Sequence, residues 1–168
     1  PGIARSHMIV VSNTSPLTNM AAIGLFPLLQ KLFTRIAIAE GVWGELNAFG
    51  QAWPGSIEVS AADWIERRSP QNEQMVIALR RDLDIGEAET IALALELDAD
   101  LVLLDERDGR YAAQRMGLQV MGVLGILIAA KRDGHIVDLT SHLDALRQQA
   151  GFYLDDGTYR KVLTLAGE

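Results

Sequence analysis

Short, uninterrupted apolar runs alternate along the chain with longer stretches in which apolar residues recur at helical spacing. An apolar run without alternating polar positions is typical of a strand that is buried on both faces of a sheet. The predicted strands are Ile9–Ser12, Arg35–Ala39, Trp64–Arg67, Leu101–Leu104 and Gln119–Met121. Because strands alternate with helices, we expect an α/β fold: a three-layer sandwich around a parallel sheet of about five strands, with right-handed crossovers.

Helices are predicted between these strands and after the last one. One apolar stripe indicates an amphipathic helix over Asn72–Leu83, which Asp84-Ile85-Gly86 interrupts. The region around Pro54 and Gly55 is interpreted as a loop. The other predicted helices run from near Pro16 to Gly24, and then over Leu25–Phe33, Glu40–Phe49, Glu87–Leu97, Gly109–Met116, Val123–Arg132, Asp138–Gln149 and Asp156–Leu165.

The first seven residues are interpreted as a remnant of expression cloning before a native start at Met8, and residues 8–168 are predicted to form a single domain. No secretion signal is expected after Met8. The longest apolar run, Val120–Ala130, has eleven residues, whereas a membrane span needs ~20. We therefore expect a cytoplasmic protein without a membrane segment.

The amino-acid composition excludes several kinds of functional site. The 15 basic and 22 acidic residues give a net charge of −7, which excludes a uniformly basic surface, so contact with phosphates would have to be local or mediated by metal. The chain has no cysteine, which excludes disulfides, thiolate zinc sites and cysteine nucleophiles.

Oxygen-bearing side chains converge on one edge of the predicted sheet. Asn13 and Asp105 directly follow the first and fourth strands, at the carboxyl edge where open parallel sheets bind ligands. Glu87 begins the helix that leads into the fourth strand, so it starts at the same edge. Glu45 lies about one turn into the helix after the second strand, and Asp108 lies one turn beyond Asp105.

Four of these five residues have a simpler structural explanation when each is taken alone. Asn13 would cap the next helix, Glu87 would favour the helix dipole, and Asp105 and Asp108 would end a strand and cap a helix. Glu45 is harder to explain because it occupies an apolar helix face, where an unpaired charge is costly. The coincidence of all five at one edge favours a shared site.

Carboxylate and amide oxygens suit Mg²⁺ or Mn²⁺ better than zinc. A divalent cation relieves the repulsion between clustered carboxylates, and one or two such ions can activate water and hold both reacting oxygens of a phosphodiester. Arg107 and Arg110 flank the acidic edge and are candidates for phosphate contacts.

Four blocks of sequence, in this order and spacing, resemble the PIN-domain family. They are Val11-Ser12-Asn13-Thr14-Ser15-Pro16-Leu17, Val42-Trp43-Gly44-Glu45-Leu46, Leu83-Asp84-Ile85-Gly86-Glu87-Ala88-Glu89 and Leu104-Asp105-Glu106-Arg107-Asp108-Gly109-Arg110. More narrowly, the chain is similar to prokaryotic PIN-like proteins described as predicted nucleic acid-binding proteins, and the similarity extends to Gly151-Phe152-Tyr153. The resemblance implies a parallel α/β sandwich with a Mg²⁺- or Mn²⁺-dependent ribonuclease site. It also implies RNA as substrate, single-stranded RNA among the candidates, an antitoxin protein as a candidate partner, and a homodimer.

The resemblance assigns roles residue by residue. Glu45, Glu87 and Asp105 take the family's second, third and fourth acidic positions and are the expected catalytic residues. Asn13 stands where PIN nucleases usually carry their first Asp, and Ser15 matches the hydroxyl that commonly supports that residue. The expected metal ligands are Asn13, Glu45, Glu87, Asp105 and, as an accessory acid, Asp108; the expected nucleic-acid contacts are Ser15, Arg107 and Arg110.

The amide of Asn13 offers an oxygen but no charge, and it cannot act as a strong base. Two functions therefore stay open: a metal-dependent ribonuclease, and a catalytically weak or inactive PIN-like protein that binds nucleic acid or a partner. A phosphoaspartate receiver-like domain, with Asp105 as acceptor, would need an acidic pair where Ser12-Asn13-Thr14 stands. The chain has no Gly-x-Ser-x-Gly elbow, Walker loop or dinucleotide-binding glycine pattern.

Overall fold

The computed structural model describes residues 7–48 and 53–168. Most of the predicted cloning remnant, residues 1–6, lies outside the described residues. The same is true of Phe49 and Gly50, at which the third helix was expected to end.

Within these ranges five parallel strands form one sheet, as the apolar runs predict. The strands are β1 (Val10–Ser12), β2 (Ile36–Ala39), β3 (Ile65–Arg68), β4 (Leu101–Leu103) and β5 (Val120–Met121). Their order is β3-β2-β1-β4-β5, and all the pairings are parallel. The chain thus builds the sheet outwards from β1, first to one side and then to the other.

Ten helices surround the sheet in the described part of the chain. They are α1 (Thr14–Ala22), α2 (Pro27–Phe33), α3 (Glu40–Asn47), α4 (Ser56–Ala61), α5 (Glu73–Leu79), α6 (Ile85–Glu96), α7 (Arg107–Arg115), α8 (Val123–Arg132), α9 (Thr140–Gln149) and α10 (Asp156–Leu165). No helix in residues 7–48 or 53–168 is long and apolar enough to cross a membrane.

Alternate residues of the central strands belong to two separate hydrophobic cores, one on each face of the sheet. Val10 and Leu103 pack with the apolar faces of α1, α2, α8 and α9, whereas Val11, Val102 and Leu104 pack with α5, α6 and α7. Because strand side chains point alternately to the two faces of a sheet, helices on both sides are needed to cover them. The expected three-layer α/β sandwich is confirmed.

The structure departs from the expectation at several places. The segment predicted as a loop around Pro54 contains the short helix α4, which follows Gly55 at φ +96°. The strand β3 lies at the edge of the sheet and is mostly exposed. It therefore differs from the expectation that the strands are apolar and buried on both faces. The helix that leads into β4 begins at Ile85 rather than at Glu87, because Asp84, which was expected only to end the preceding helix, also caps this one.

Candidate functional site

The centre of the site lies where the strand order reverses. β1 and β4 are adjacent, with Ser12 paired with Leu103, and the backbone N–H of Asn13 donates to the Leu103 carbonyl at 2.9 Å. Asn13 and Asp105 therefore leave the carboxyl ends of neighbouring strands, which lie about 4.8 Å apart. A crevice outside such a switch point is the usual ligand site of an open parallel sheet.

Asn13 and Asp105 each bury an oxygen that has no hydrogen-bond partner. Asn13 is 3% exposed; it occupies the position that caps α1, but its side chain makes no capping hydrogen bond. Its Oδ1 and the Oδ2 of Asp105 are the buried side-chain polar atoms without a partner among the described residues. A buried acceptor left unpaired costs about 1–3 kcal/mol. The two oxygens are therefore suited to a cation or an ordered water.

The other carboxylate oxygen of Asp105 is firmly held. Its Oδ1 accepts the backbone N–H of Val123 at 2.9 Å, at the first turn of α8. A Cβ on Gly122 would lie 2.6 Å from this Oδ1, so a larger residue there would displace the carboxylate. Burial raises the pKa of Asp105, while the Val123 N–H and the nearby Arg110 guanidinium lower it.

Glu87 is buried at the start of α6 and is 8% exposed. Asp84 caps the helix, since its Oδ1 accepts the backbone N–H of Glu87 at 2.8 Å. The carboxylate of Glu87 lies against Gly109, where a Cβ would be 3.0 Å from Oε2. Burial raises the pKa of Glu87 to about 8, helped by a hydrogen bond with Asp84 and by the negative charges of Asp84, Glu106 and Glu45.

Glu45 is half-buried on α3 and is bound by groups from two other elements. The Thr14 hydroxyl donates to its Oε2, and a Cβ on Gly86 would lie 2.8 Å from its Cδ. Burial raises the pKa of Glu45, whereas the hydrogen bonds from Thr14 and from the Gly86 backbone lower it. The apolar helix face noted in the sequence therefore turns its carboxylate toward the first turns of α1 and α6.

The remaining predicted residues lie around this centre. Arg110 donates from Nη1 to the Leu104 carbonyl at 3.2 Å. Together with Arg107, Asp108 and Asp105 it lines an open groove of about 700 Å³. Ser15 does not support Asn13; its hydroxyl reaches Oε1 of Glu106 at 3.5 Å.

Sequence reasoning missed three residues that shape the site, Thr14, Asp84 and Glu106. Asp84 was interpreted only as a helix break, although an aspartate three residues before Glu87 is a usual capping signal. Thr14 and Glu106 each stand next to a candidate residue in the sequence, but nothing in the pattern indicated which side chain they would contact.

The oxygen atoms at the centre of the site are suitable ligands for a hard divalent cation, because they belong to carboxylate and amide groups. Among the described residues, no three His, Asp or Glu side chains form a group that could hold a metal. A shell at this edge would therefore have to draw on the neutral oxygen of Asn13 in addition to the acids.

A family model described as a PIN domain, DUF3368, matches residues 9–168. The match includes every candidate residue named above. No curated protein matches the chain.

The raised pKa of Glu87 predicts how the metal-free protein responds to pH. Between its ordinary pKa of 4.5 and about 8, the folded state keeps a proton that the unfolded state has lost, so the free energy of unfolding falls as pH rises. Glu87→Gln cannot ionise, so it removes this decrease in the free energy of unfolding at high pH. In EDTA we expect it to raise the free energy of unfolding at pH 9 by about 1–3 kcal/mol over the wild type, and to change little at pH 5.

Denaturant titrations at both pH values measure this effect. Glu73→Gln, at an exposed position in the first turn of α5, is the matched control. It removes only a small helix-dipole contribution, so it should not raise the free energy of unfolding at either pH. An equal gain in both variants would contradict a buried, protonated Glu87.

The contact between Gly86 and Glu45 predicts opposite effects of two glycine substitutions. Gly44→Ala meets nothing within 4 Å and should stabilise α3 by about 0.5–1 kcal/mol. Gly86→Ala forces the Glu45 carboxylate away from Thr14 and should lower the free energy of unfolding by about 1 kcal/mol. Chemical denaturation of the two variants measures both changes, and a gain from Gly86→Ala equal to that from Gly44→Ala would show that the contact is not tight.

Proposed function

Since this chain belongs to the PIN-domain family, we propose that it is a divalent-metal-dependent ribonuclease whose metal shell is weakened by Asn13. PIN domains have a nuclease-type fold and generally use divalent metal ions. The observation that carries the proposal is the pair of buried, unpartnered oxygens on Asn13 and Asp105 at the switch point of the sheet.

In this proposal each acidic residue has a distinct role. Asp105 and Glu87 hold the main cation, Mg²⁺ or Mn²⁺, with Asn13 completing its shell and Glu45 and Asp108 assisting. When bound, the ion would activate water and stabilise the charge that develops on the phosphodiester. The raised pKa of Glu87 means that its proton must leave before it can bind the cation, so affinity for the metal should increase with pH.

The protein's own hydrogen bonds support these roles. The Val123 N–H fixes one oxygen of Asp105 at 2.9 Å and leaves the other free to bind. The Thr14 hydroxyl orients Glu45, which would align the attacking water as a general base. Arg107 and Arg110 line the groove beside Asp105 and would bind phosphate oxygens.

A second candidate is a PIN-like protein that binds nucleic acid without cutting it. It is favoured by the neutral amide at position 13 and by the absence of a group of three acids suited to a metal within residues 7–48 and 53–168. Both candidates place RNA in the arginine-lined groove, and they differ only in metal-dependent cleavage.

Substitution at Asn13 separates the two candidates. Asn13→Asp adds one charge next to the cation at nearly constant shape, so it should tighten Mn²⁺ binding and raise cleavage of a labelled single-stranded RNA by about 10–100-fold. Asp105→Asn should abolish both. Calorimetry with Mn²⁺ and a cleavage time course measure the two effects.

Asp63→Asn is the control for net charge. Asp63 is exposed and precedes β3, at the opposite edge of the sheet, so its loss should leave affinity and cleavage unchanged. If neither Asn13→Asp nor Asp105→Asn changes Mn²⁺ binding or cleavage, the non-catalytic function is the better one.

We further propose that the protein acts in the cytoplasm as a homodimer and as the toxin of a toxin–antitoxin pair. Of the apolar C-terminal residues, Leu154 and Val162 are buried in the chain's own core, whereas Leu165 is 65% exposed and is available to a partner.

Light scattering tests this assembly. The purified protein at about 20 µM should have twice the chain mass, and Leu165→Asp should return it to a monomer because the charge would be buried at the contact. Protein isolated from its native cells should be heavier than the dimer if an antitoxin is bound. A monomer in both preparations would contradict the assembly without affecting the nuclease proposal.

A further inference from the structure

Asp105 lies in the walls of two grooves of different character. One is the groove of about 700 Å³ that contains Arg107 and Arg110. The other, about 470 Å³, lies between α1 and the segment that connects α9 to α10, and Tyr153 forms part of its wall. An elongated ligand that passes Asp105 would therefore occupy both grooves.

Tyr153 is displayed to solvent on a fixed backbone. The residue is 87% exposed, although both neighbours are anchored. The Phe152 N–H donates to the Leu146 carbonyl at 3.0 Å, and the carbonyl of buried Leu154 accepts two hydrogen bonds from Arg147, at 3.0 and 2.6 Å. Gly151, at φ +64°, makes the turn that brings the segment back from α9. The backbone that carries the ring therefore needs little rearrangement when the ring binds a flat partner.

The walls of this groove favour an uncharged ligand with polar edges. Asp105 and Glu106 give it negative charge, and the hydroxyls of Ser15 and Thr18 and the amide of Asn19 provide donors and acceptors. None of the described residues that line it is Lys or Arg. Phosphates are therefore disfavoured here and favoured in the arginine-containing groove, whereas a nucleobase meets both a ring on which to stack and polar groups at its edge.

We propose that the groove beside Tyr153 is a nucleobase pocket, which takes one unpaired base of a nucleic-acid strand whose phosphates follow Arg107 and Arg110 past Asp105. This inference rests on the proposed function, because it needs a nucleic acid at Asp105. A base inside a duplex is stacked and unavailable, so the pocket selects single strands.

Binding without cleavage tests the pocket. The probe is a fluorescein-labelled ten-nucleotide single strand, as RNA and as DNA, with Ca²⁺ in place of Mg²⁺, and fluorescence anisotropy gives the dissociation constant. Tyr153→Ala should weaken single-strand binding by about 5- to 150-fold. Tyr153→Phe, which keeps the ring, should stay within about twofold of the wild type. A blunt-ended duplex made of two complementary strands, which has no unpaired base, should bind both variants and the wild type alike.

A second readout reports stacking directly. A 2-aminopurine placed at successive positions of the strand should be quenched by the wild type at one position, and Tyr153→Ala should abolish this quenching. Tyr111→Ala removes an exposed tyrosine of the arginine-containing groove and should leave the quenched position unchanged. Tighter binding of RNA than of DNA would identify RNA as the natural source of the base.

The outcomes distinguish this inference from the proposed function. If the wild type binds the strand but Tyr153→Ala binds and quenches equally well, the pocket is overturned and the nuclease proposal stands. If Tyr153→Ala weakens duplex and single strand equally, the pocket is also overturned. If the wild type binds neither probe and cleaves no RNA with Mn²⁺, the proposed function and this inference fail together.

Discussion

The site depends on the close contact between three carboxylates and glycine residues, which leaves no space for a side chain at those glycines. Asp105, Glu87 and Glu45 each lie against a glycine of a different element, at Gly122, Gly109 and Gly86 respectively. A Cβ at any of these glycines would meet a carboxylate at 3.0 Å or less. The close approach excludes water from one side of each acid, and this burial is the largest cause of their raised pKa values. The first turns of α6 and α7 and the residue that caps α8 therefore form part of the walls around the three acids.

The fold could be predicted because its signal is local. Apolar runs such as Leu101–Leu104 differ from helical stripes over a few residues, and in a parallel sheet the residue after each strand must lie at the carboxyl edge. Asn13 and Asp105 were placed at that edge by this argument alone. The edge strand β3 was found despite its exposure, because Trp64 and Ile65 mark its start. Helix α4 was missed because its start depends on Gly55 in a left-handed conformation, which a Pro-Gly pair does not distinguish from a loop.

The candidate site could be predicted only as a set of positions. Which groups pair there depends on side-chain directions that no spacing encodes, as the bonds from Thr14 to Glu45 and from Ser15 to Glu106 illustrate. The possibility that Asn13 simply caps α1 is a further case: the residue occupies the capping position, yet its side chain does not bind the helix. Its oxygen is buried without a partner instead, which depends on the folded surroundings and not on the local sequence.

The two edge strands of the sheet, β3 and β5, affect how readily the protein aggregates. At one margin β3 carries Glu66, Arg67 and Arg68, all exposed, with Arg67 stacked over the Trp43 ring at 4.2 Å and paired with Glu40 at 2.9 Å. At the other margin β5 has only two residues. A strand from a second molecule would have to strip water from charges at the first margin and would find too few hydrogen-bonding groups at the second. Strand-to-strand aggregation is thus opposed at both ends of a sheet whose interior is almost entirely apolar.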